Sequence, residues 1–129
     1  GMTIVVSTPY MDEAEYATRI GFLDAGRLTV TGTPATVVAA YPRALVAVHS
    51  TDRVAVEARL RAVDLVDDVS PFGTRLHVRG REAVSGASLV AAVRRALHGL
   101  VAPEAVGPLA PSLEDVFVLQ SERTIGEEA

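Results

Sequence analysis

The feature that most restricts the fold is the changing spacing of apolar residues along the range Ala44–Leu109. The segment Ala44–His49 is a short apolar run, which is typical of a buried strand. Ser50–Asp52 follows it with side chains that can cap a helix. A strand followed by an amphipathic helix is therefore predicted, and the apolar face of that helix is formed by Val56, Leu60 and Val63.

The same alternation continues through the next forty residues. Val66–Ser70 has the character of a strand, and the apolar residues of the following strand, Leu76–Val78, alternate with polar ones. A helix begins at Ser85–Ser88, and Ala105–Leu109 can form a last strand. The order βαββαβ predicts a mixed α+β (α/β) fold of the ferredoxin-like plan, with both helices on one face of an antiparallel sheet. The apolar stripe of the second helix is interpreted as core rather than as a dimer seam: Leu89, Val93, Leu97 and Leu100.

The residues up to Pro42 have a different predicted order of strands and helices. Thr3–Val6 is β-branched and apolar and is predicted as a strand, and a helix is expected over Tyr10–Arg19. Asp24–Arg27 has turn chemistry between two apolar runs, which predicts a β-hairpin. Thr33-Pro34 marks the start of a second helix, which Pro42 ends. The predicted regions are 1–42, 43–110 and 111–129.

The last region begins with Ser112 and Asp115 at the spacing of a capping box, so a short helix is expected there. The acidic residues 124–129 are expected to be a frayed tail. The 129 residues carry a net charge of −4 and no Cys, which argues against non-specific nucleic-acid binding, disulfides and cysteine metal sites. No run of about 18 apolar residues is present that would insert directly into a membrane.

Four segments resemble motifs of one family. Ser7–Glu15 (STPYMDEAE) resembles the S-T-H-x-x-x-E-A-E stretch of ABC ATPases, and Gly21–Arg27 (GFLDAGR) resembles that family's hairpin with its D-x-G-R turn. Gly32–Ala35 (GTPA) and Pro111–Phe117 (PSLEDVF) are similar to the two motifs that follow in ABC-2, or drug-export, subunits. The resemblance implies the C-terminal part of an ATP-binding subunit: a strand-helix-hairpin-helix remnant of the ATPase domain, followed by an accessory domain.

The resemblance also carries expectations about chemistry. The chain holds no phosphate-binding loop, LSGGQ signature or Asp-Glu strand end, so it is expected to be no enzyme by itself. No cofactor, metal or catalytic residue is expected in this chain, whereas the intact parent would use ATP and Mg²⁺. The family's switch histidine falls at Pro9, which has neither a side-chain donor nor an N–H. The point at which this sequence begins is expected to lie inside the ATPase domain of the parent subunit.

The family also implies partners and a location. The expected partners are the rest of the subunit, a membrane permease and a second copy, because the strand Thr3–Val6 would have unpaired edges. The location would be cytoplasmic, at the inner face of the cell membrane. A different class of function stays open, in which residues 43–110 form an independent ferredoxin-like domain for small-molecule sensing or dimerisation.

Several residues that could suggest a functional site are interpreted as structural or solvent-exposed residues. Asp12-Glu13 is expected to be a solvated first turn, and Gly32–Pro34 a capped helix start rather than a phosphate site. Phe72 is placed in a turn, which disfavours an RNA-stacking sheet. The three histidines are interpreted as surface or packing residues, and a short arginine stripe as a solvated face: His49, His77 and His98, with Arg75, Arg79 and Arg81.

Overall fold

The computed structural model describes residues 1–128, the last of them by its backbone only. The chain forms two compact units. Unit 1 consists of residues 1–41 together with the segment from Pro111 onward, and unit 2 is Pro42–Ala110. The last segment, set apart from the first region in the sequence, therefore folds with it. The structure is a mixed α+β fold with two antiparallel sheets.

The elements of unit 2 alternate as the sequence predicts. They are β3 (Leu45–His49), α3 (Arg53–Arg61), β4 (Val66–Phe72), β5 (Arg75–Gly80), α4 (Gly86–Ala96) and β6 (Val106–Pro108), with a short 3₁₀ turn before β6. The four strands lie in the order β4-β5-β3-β6, and every neighbouring pair is antiparallel. Asp52 and Ser85 cap α3 and α4 by accepting the backbone N–H groups of Ala55 and Ser88.

Both helices of unit 2 pack on the same face of the sheet. Val46 and Val48 of β3 pair with Val78 and Leu76 of β5, so these side chains share that face. They join the apolar stripes of α3 and α4 in one core, as expected for the second helix. Its buried members are Val46, Val48, Val56, Leu60, Val66, Val69, Leu76, Val78, Leu89, Val93, Leu97 and Val106.

Strand β4 differs from its prediction in two ways. It continues through Phe72, which pairs with Arg75, so the turn is formed by Gly73 and Thr74 rather than by residues 71–73. Gly73 has φ +56°, a conformation that glycine adopts without strain and that a bulky residue such as phenylalanine does not. A bulge at Asp67 also interrupts the register between Val66 and Asp68.

Unit 1 contains the predicted hairpin, formed by β1 (Ile20–Asp24) and β2 (Arg27–Gly32). The two loop residues, Ala25 and Gly26, have φ values of 48° and 75°. Positive φ at both positions defines a type I′ turn, whose twist matches that of the paired strands.

Two helices complete the small core of unit 1. In α2 (Pro34–Ala39), Thr33 accepts the Thr36 N–H and Thr36 accepts the Thr33 N–H, so the predicted capped start is confirmed. In α5 (Leu113–Glu128), Ser112 and Asp115 form the expected reciprocal cap, with the Ser112 N–H 2.8 Å from the Asp115 carboxylate. The buried core residues are Phe22, Val37, Leu113 and Val116.

Three expectations for unit 1 are wrong. Residues Thr3–Val6 form no strand, because they pair with no other strand among residues 1–128. Helix α1 spans only Met11–Ala14, and turns follow it instead of helix to Arg19. The expected tail is helical through Glu128, and within it Thr124 is buried and its hydroxyl donates to the Gln120 carbonyl. Ala129 lies outside the described residues.

Candidate functional site

The segment that carries the strongest motif, Ser7–Glu15, is a surface loop entering α1. The Thr8 hydroxyl donates to the Glu13 carboxylate over 2.5 Å and accepts the backbone N–H of Tyr10 over 3.0 Å. These two bonds fix the path of the chain around Pro9, which lies exposed between Thr8 and Tyr10. Proline places no hydrogen-bonding side chain at this position and no N–H on the backbone.

The acidic residues beside this loop do not form a catalytic pair. Asp12, Glu13 and Glu15 are all exposed, and Asp12 and Glu13 occupy the first turn of α1. Adjacent helix positions point in different directions. Within the part of the chain that the structure describes, Glu13 alone among them has a side-chain hydrogen bond, and its partner is the nearby Thr8 hydroxyl. The arrangement is that of a helix start stabilised by its own acids.

Unit 1 exposes several large apolar side chains. Ile4, Val5 and Val6 are 74%, 91% and 71% exposed. On the hairpin, Leu23 and Leu28 face each other across the strands and are also exposed. The consecutive residues Ile4–Val6 and the pair Leu23–Leu28 are local apolar patches, and exposed apolar patches often mark interaction sites. The exposed apolar residues of unit 1 are Met2, Ile4, Val5, Val6, Tyr10, Tyr16, Leu23, Leu28 and Ile125.

Unit 2 contains a charged cluster that sequence reasoning missed. The bulge turns Asp67 toward two arginines: Arg79 Nε lies 2.8 Å and Arg43 Nη1 3.5 Å from the same carboxylate oxygen. Arg43 also donates to the Gly80 carbonyl over 3.2 Å and pairs with Glu82 over 3.4 Å. The local sequence does not indicate this cluster, because the bonded partners lie 12 to 39 positions apart along the chain. It ties the start of β3 to β4 and β5.

The arginine stripe is therefore not one solvated face. Arg79 is buried and bonded to Asp67, contrary to the expectation, whereas Arg75 is exposed. Arg81 is exposed but donates to the Asp64 carbonyl over 2.6 Å. Arg75 and Arg79 are four positions apart and share one face of β5, but Arg79 is buried in its ion pair with Asp67. The three arginines therefore do not form a single solvated basic surface.

The three histidines lie at separate places in unit 2. His77 stacks on Phe72, with ring centroids 4.0 Å apart and planes nearly parallel, on the sheet face opposite the helices. His49 and His98 are exposed on β3 and after α4. Among the described residues, no group of three His, Cys, Asp or Glu side chains could hold a metal ion. Likewise, no helix within residues 1–128 is long and apolar enough to cross a bilayer.

Comparison with known proteins links the chain to the ATP-binding proteins of ABC transporters. The match is short: 34 residues at 53% identity, which is 26% of this chain. The similar proteins are the probable multidrug ABC transporter ATP-binding protein YbhF of Escherichia coli K12 and its counterpart in Shigella flexneri. The matched stretch spans 6% of the length of these relatives. No family model matches the chain.

Proposed function

We propose that this chain is the C-terminal part of the ATP-binding subunit of an ABC export transporter of the drug-export type. In this proposal, unit 2 is a ferredoxin-like accessory domain that regulates or dimerises the subunit rather than catalysing a reaction. The observation that carries the proposal is the 34-residue match at 53% identity to an ABC transporter ATP-binding protein.

The distribution of the motifs supports this assignment. All four motif segments lie in unit 1, and unit 2 separates the third, Gly32–Ala35, from the fourth, Pro111–Phe117. Three of them also determine local structure: Asp24–Arg27 forms the hairpin turn, Thr33 caps α2, and Ser112 caps α5. The residues that resemble the family are thus the ones that shape unit 1.

The first experiment measures ATP hydrolysis by the purified chain with Mg²⁺. We expect no release of phosphate above the buffer background, because no phosphate-binding loop is present in the sequence. Turnover that persists through repeated purification and falls in a Glu13→Gln variant would contradict the proposal. The variant matters because it separates this chain's own activity from a contaminating ATPase.

A second experiment addresses Pro9 in the setting of a complete subunit. Residues 1–42 are grafted in place of the corresponding segment of the E. coli relative, and ATP hydrolysis is compared with and without Pro9→His. We expect the histidine variant to be faster by about 10²-fold, the scale on which one positioned donor stabilises a transition state. Tyr10→His is the matched control, since it supplies the same imidazole one residue away. Equal rates for all three chimeras would refute the assigned position.

The proposed partners follow from the exposed apolar residues of unit 1. They are the remainder of the ATP-binding subunit, the permease at the inner face of the cell membrane, and a second copy of the chain. In isolation, residues 2–6 are expected to join two copies, because an unpaired β-prone segment is prone to strand pairing. Val5→Lys should weaken the dimer in light scattering, whereas Ala35→Lys, an exposed change outside this segment, should not.

Unit 2 also supports a second candidate function, an independent domain for small-molecule sensing or dimerisation. The observation in its favour is that unit 2 has a closed core of its own, with both helices on one sheet face. A ligand that binds only the folded state stabilises it by RT ln(1 + L/Kd), where L is the free ligand concentration, so the melting temperature rises with the logarithm of ligand concentration once the site is filled. A ligand-dependent shift in the isolated unit would favour this function, and a screen without any shift would count against it.

A further inference from the structure

The two outer strands of the unit 2 sheet carry the same short pattern on their free sides. Strand β4 contains Val69-Ser70-Pro71, and strand β6 is Val106-Gly107-Pro108. In each case an arginine from a helix binds the carbonyl of the valine. The chain has only seven prolines, so two at equivalent places on opposite edges call for a common explanation.

On β6, hydrogen bonding shows which backbone groups face outward. The Leu109 N–H donates to the Leu45 carbonyl over 3.0 Å, so residues 107 and 109 point toward β3. The groups of Val106 and Pro108 therefore point away from the sheet. The Val106 N–H bonds to the Pro103 carbonyl, and its carbonyl accepts from Arg94 Nη2 over 3.0 Å. Pro108 has no N–H to offer.

On β4, the residue pair that closes the turn shows which backbone groups face away from the sheet. Phe72 and Arg75 flank a two-residue loop, and such a closing pair is hydrogen-bonded. Alternation then directs the backbone groups of Val69 and Pro71 to the free side. The Val69 carbonyl accepts from Arg61 Nη2 over 3.3 Å, and Pro71 has no N–H.

Arg61 is held in place for this contact. It lies in the last turn of α3, and its Nη2 is 2.7 Å from the Glu57 carboxylate one turn earlier. That hydrogen bond, with a smaller contribution from the charge of Asp68, raises the pKa of the Arg61 guanidinium. An arginine guanidinium is protonated under all ordinary conditions, so Arg61 is a charged donor to the Val69 carbonyl.

We propose that Arg61 with Pro71, and Arg94 with Pro108, close the two edges of the unit 2 sheet to strand addition. An added strand must exchange donors and acceptors with alternate residues of the edge. Each edge lacks one N–H because of its proline and has one carbonyl already occupied by arginine. A second copy, or an extended peptide, then has to bind unit 2 through some surface other than its sheet edges.

The test compares open-edge variants of the full chain with matched controls. The variants are Arg61→Ala with Pro71→Val, and Arg94→Ala with Pro108→Val. The controls are Arg59→Ala and Arg95→Ala, which remove an exposed arginine from the same helices without touching an edge carbonyl. Any pairing through residues 2–6 is common to all four proteins, so it cancels in the comparison.

Self-association is measured by sedimentation velocity over a range of protein concentrations. We expect each open-edge variant to associate about tenfold or more tightly than its control, a factor equivalent to about 1.4 kcal/mol. Amide exchange at position 69 should slow with rising concentration in the β4 variant and stay constant in Arg59→Ala. Equal association of variant and control at both edges, or concentration-dependent protection of Val69 in the unchanged chain, would overturn the proposal.

Circular dichroism first establishes that each variant folds. If a double variant is unfolded, Pro71→Val and Pro108→Val alone carry the test, because each restores one outward donor and leaves the arginine in place. We then expect a smaller increase in association than for the double variant. An absence of any increase in these folded single variants would also contradict the proposed role of the prolines.

Discussion

The two units of this chain bury their apolar residues to very different extents. Unit 2 builds a core of twelve buried residues from a single continuous stretch of 69 residues, Pro42–Ala110. Among the described residues, the corresponding cluster of unit 1 has four buried members, drawn from its two separate segments, and Val5, Leu23 and Leu28 are largely exposed. Apolar burial is the main source of folding free energy. The comparison therefore indicates that unit 2 is stabilised by its own contacts, whereas unit 1 has apolar surface to offer a partner.

The largest expected effect is an all-or-none difference between excised pieces. A peptide of residues 42–110 should fold alone and melt in one cooperative transition, because its sheet, helices and core are all included. A peptide of residues 1–41 should show no transition, because it lacks the core residues Leu113 and Val116. Circular dichroism with thermal melting checks both. Failure of the first peptide to fold would contradict the conclusion that unit 2 is stabilised by its own contacts.

The next effect concerns the unit 2 core itself. Leu60→Ala removes a fully buried side chain of α3 and should lower the free energy of unfolding by about 2–5 kcal/mol. Val54→Ala, on the same helix but 81% exposed, should change it by less than about 0.5 kcal/mol. Urea titration of the full chain measures both. Similar costs for the two variants would mean that α3 does not pack as described.

A smaller effect is expected at the bulge. Asp67→Ala removes the carboxylate shared by Arg79 and Arg43 and should cost about 1.5–3 kcal/mol, the usual value for hydrogen bonds to charged groups. Glu82→Ala is the control: its side chain is 82% exposed, so losing its 3.4 Å pair with Arg43 should cost at most about 1 kcal/mol. A cost for Asp67→Ala no greater than for Glu82→Ala would exclude a stabilising role for the cluster.

The smallest effect is a gain in stability within unit 1. Ala25 occupies the first loop position of the type I′ turn at φ 48°, where alanine is strained. Ala25→Asn should raise the free energy of unfolding by about 0.5–1 kcal/mol, because asparagine tolerates positive φ and Asn-Gly suits this turn. Ala35→Asn, at the first turn of α2, should bring no such gain. A loss of stability in Ala25→Asn would show that the hairpin turn differs from the one described.

Local chemistry was predictable from the sequence. The predicted caps at Thr33, Asp52 and Ser112 are confirmed, as are the helix start at Ser85–Ser88 and the hairpin turn at Asp24–Arg27. Each of these depends on residues within a few positions of one another, so a short window contains the whole interaction. The element order of unit 2 was predictable for a related reason, since the apolar period changes where strand gives way to helix.

The failures required information from distant residues. Thr3–Val6 has the composition of a strand, but a strand forms only when another strand lies beside it. The Asp67 bulge and the burial of Arg79 depend on residues that meet only in the folded sheet. The edge prolines Pro71 and Pro108 were visible in the sequence, and proline inside a strand pattern does signal an edge. Their arginine partners were not visible, because α3 and α4 bring them there.

The placement of α5 has a consequence for synthesis on the ribosome. Phe22 and Phe117 meet edge to face with centroids 5.5 Å apart, although 94 residues separate them along the chain. Unit 2 is translated in between and can fold as soon as residue 110 has emerged. Phe22 and Val37 must wait for Leu113 and Val116 before they are covered. A nascent chain that stalls after residue 110 but before Leu113 would expose them to chaperones and proteases, whereas the finished unit 2 would be protected.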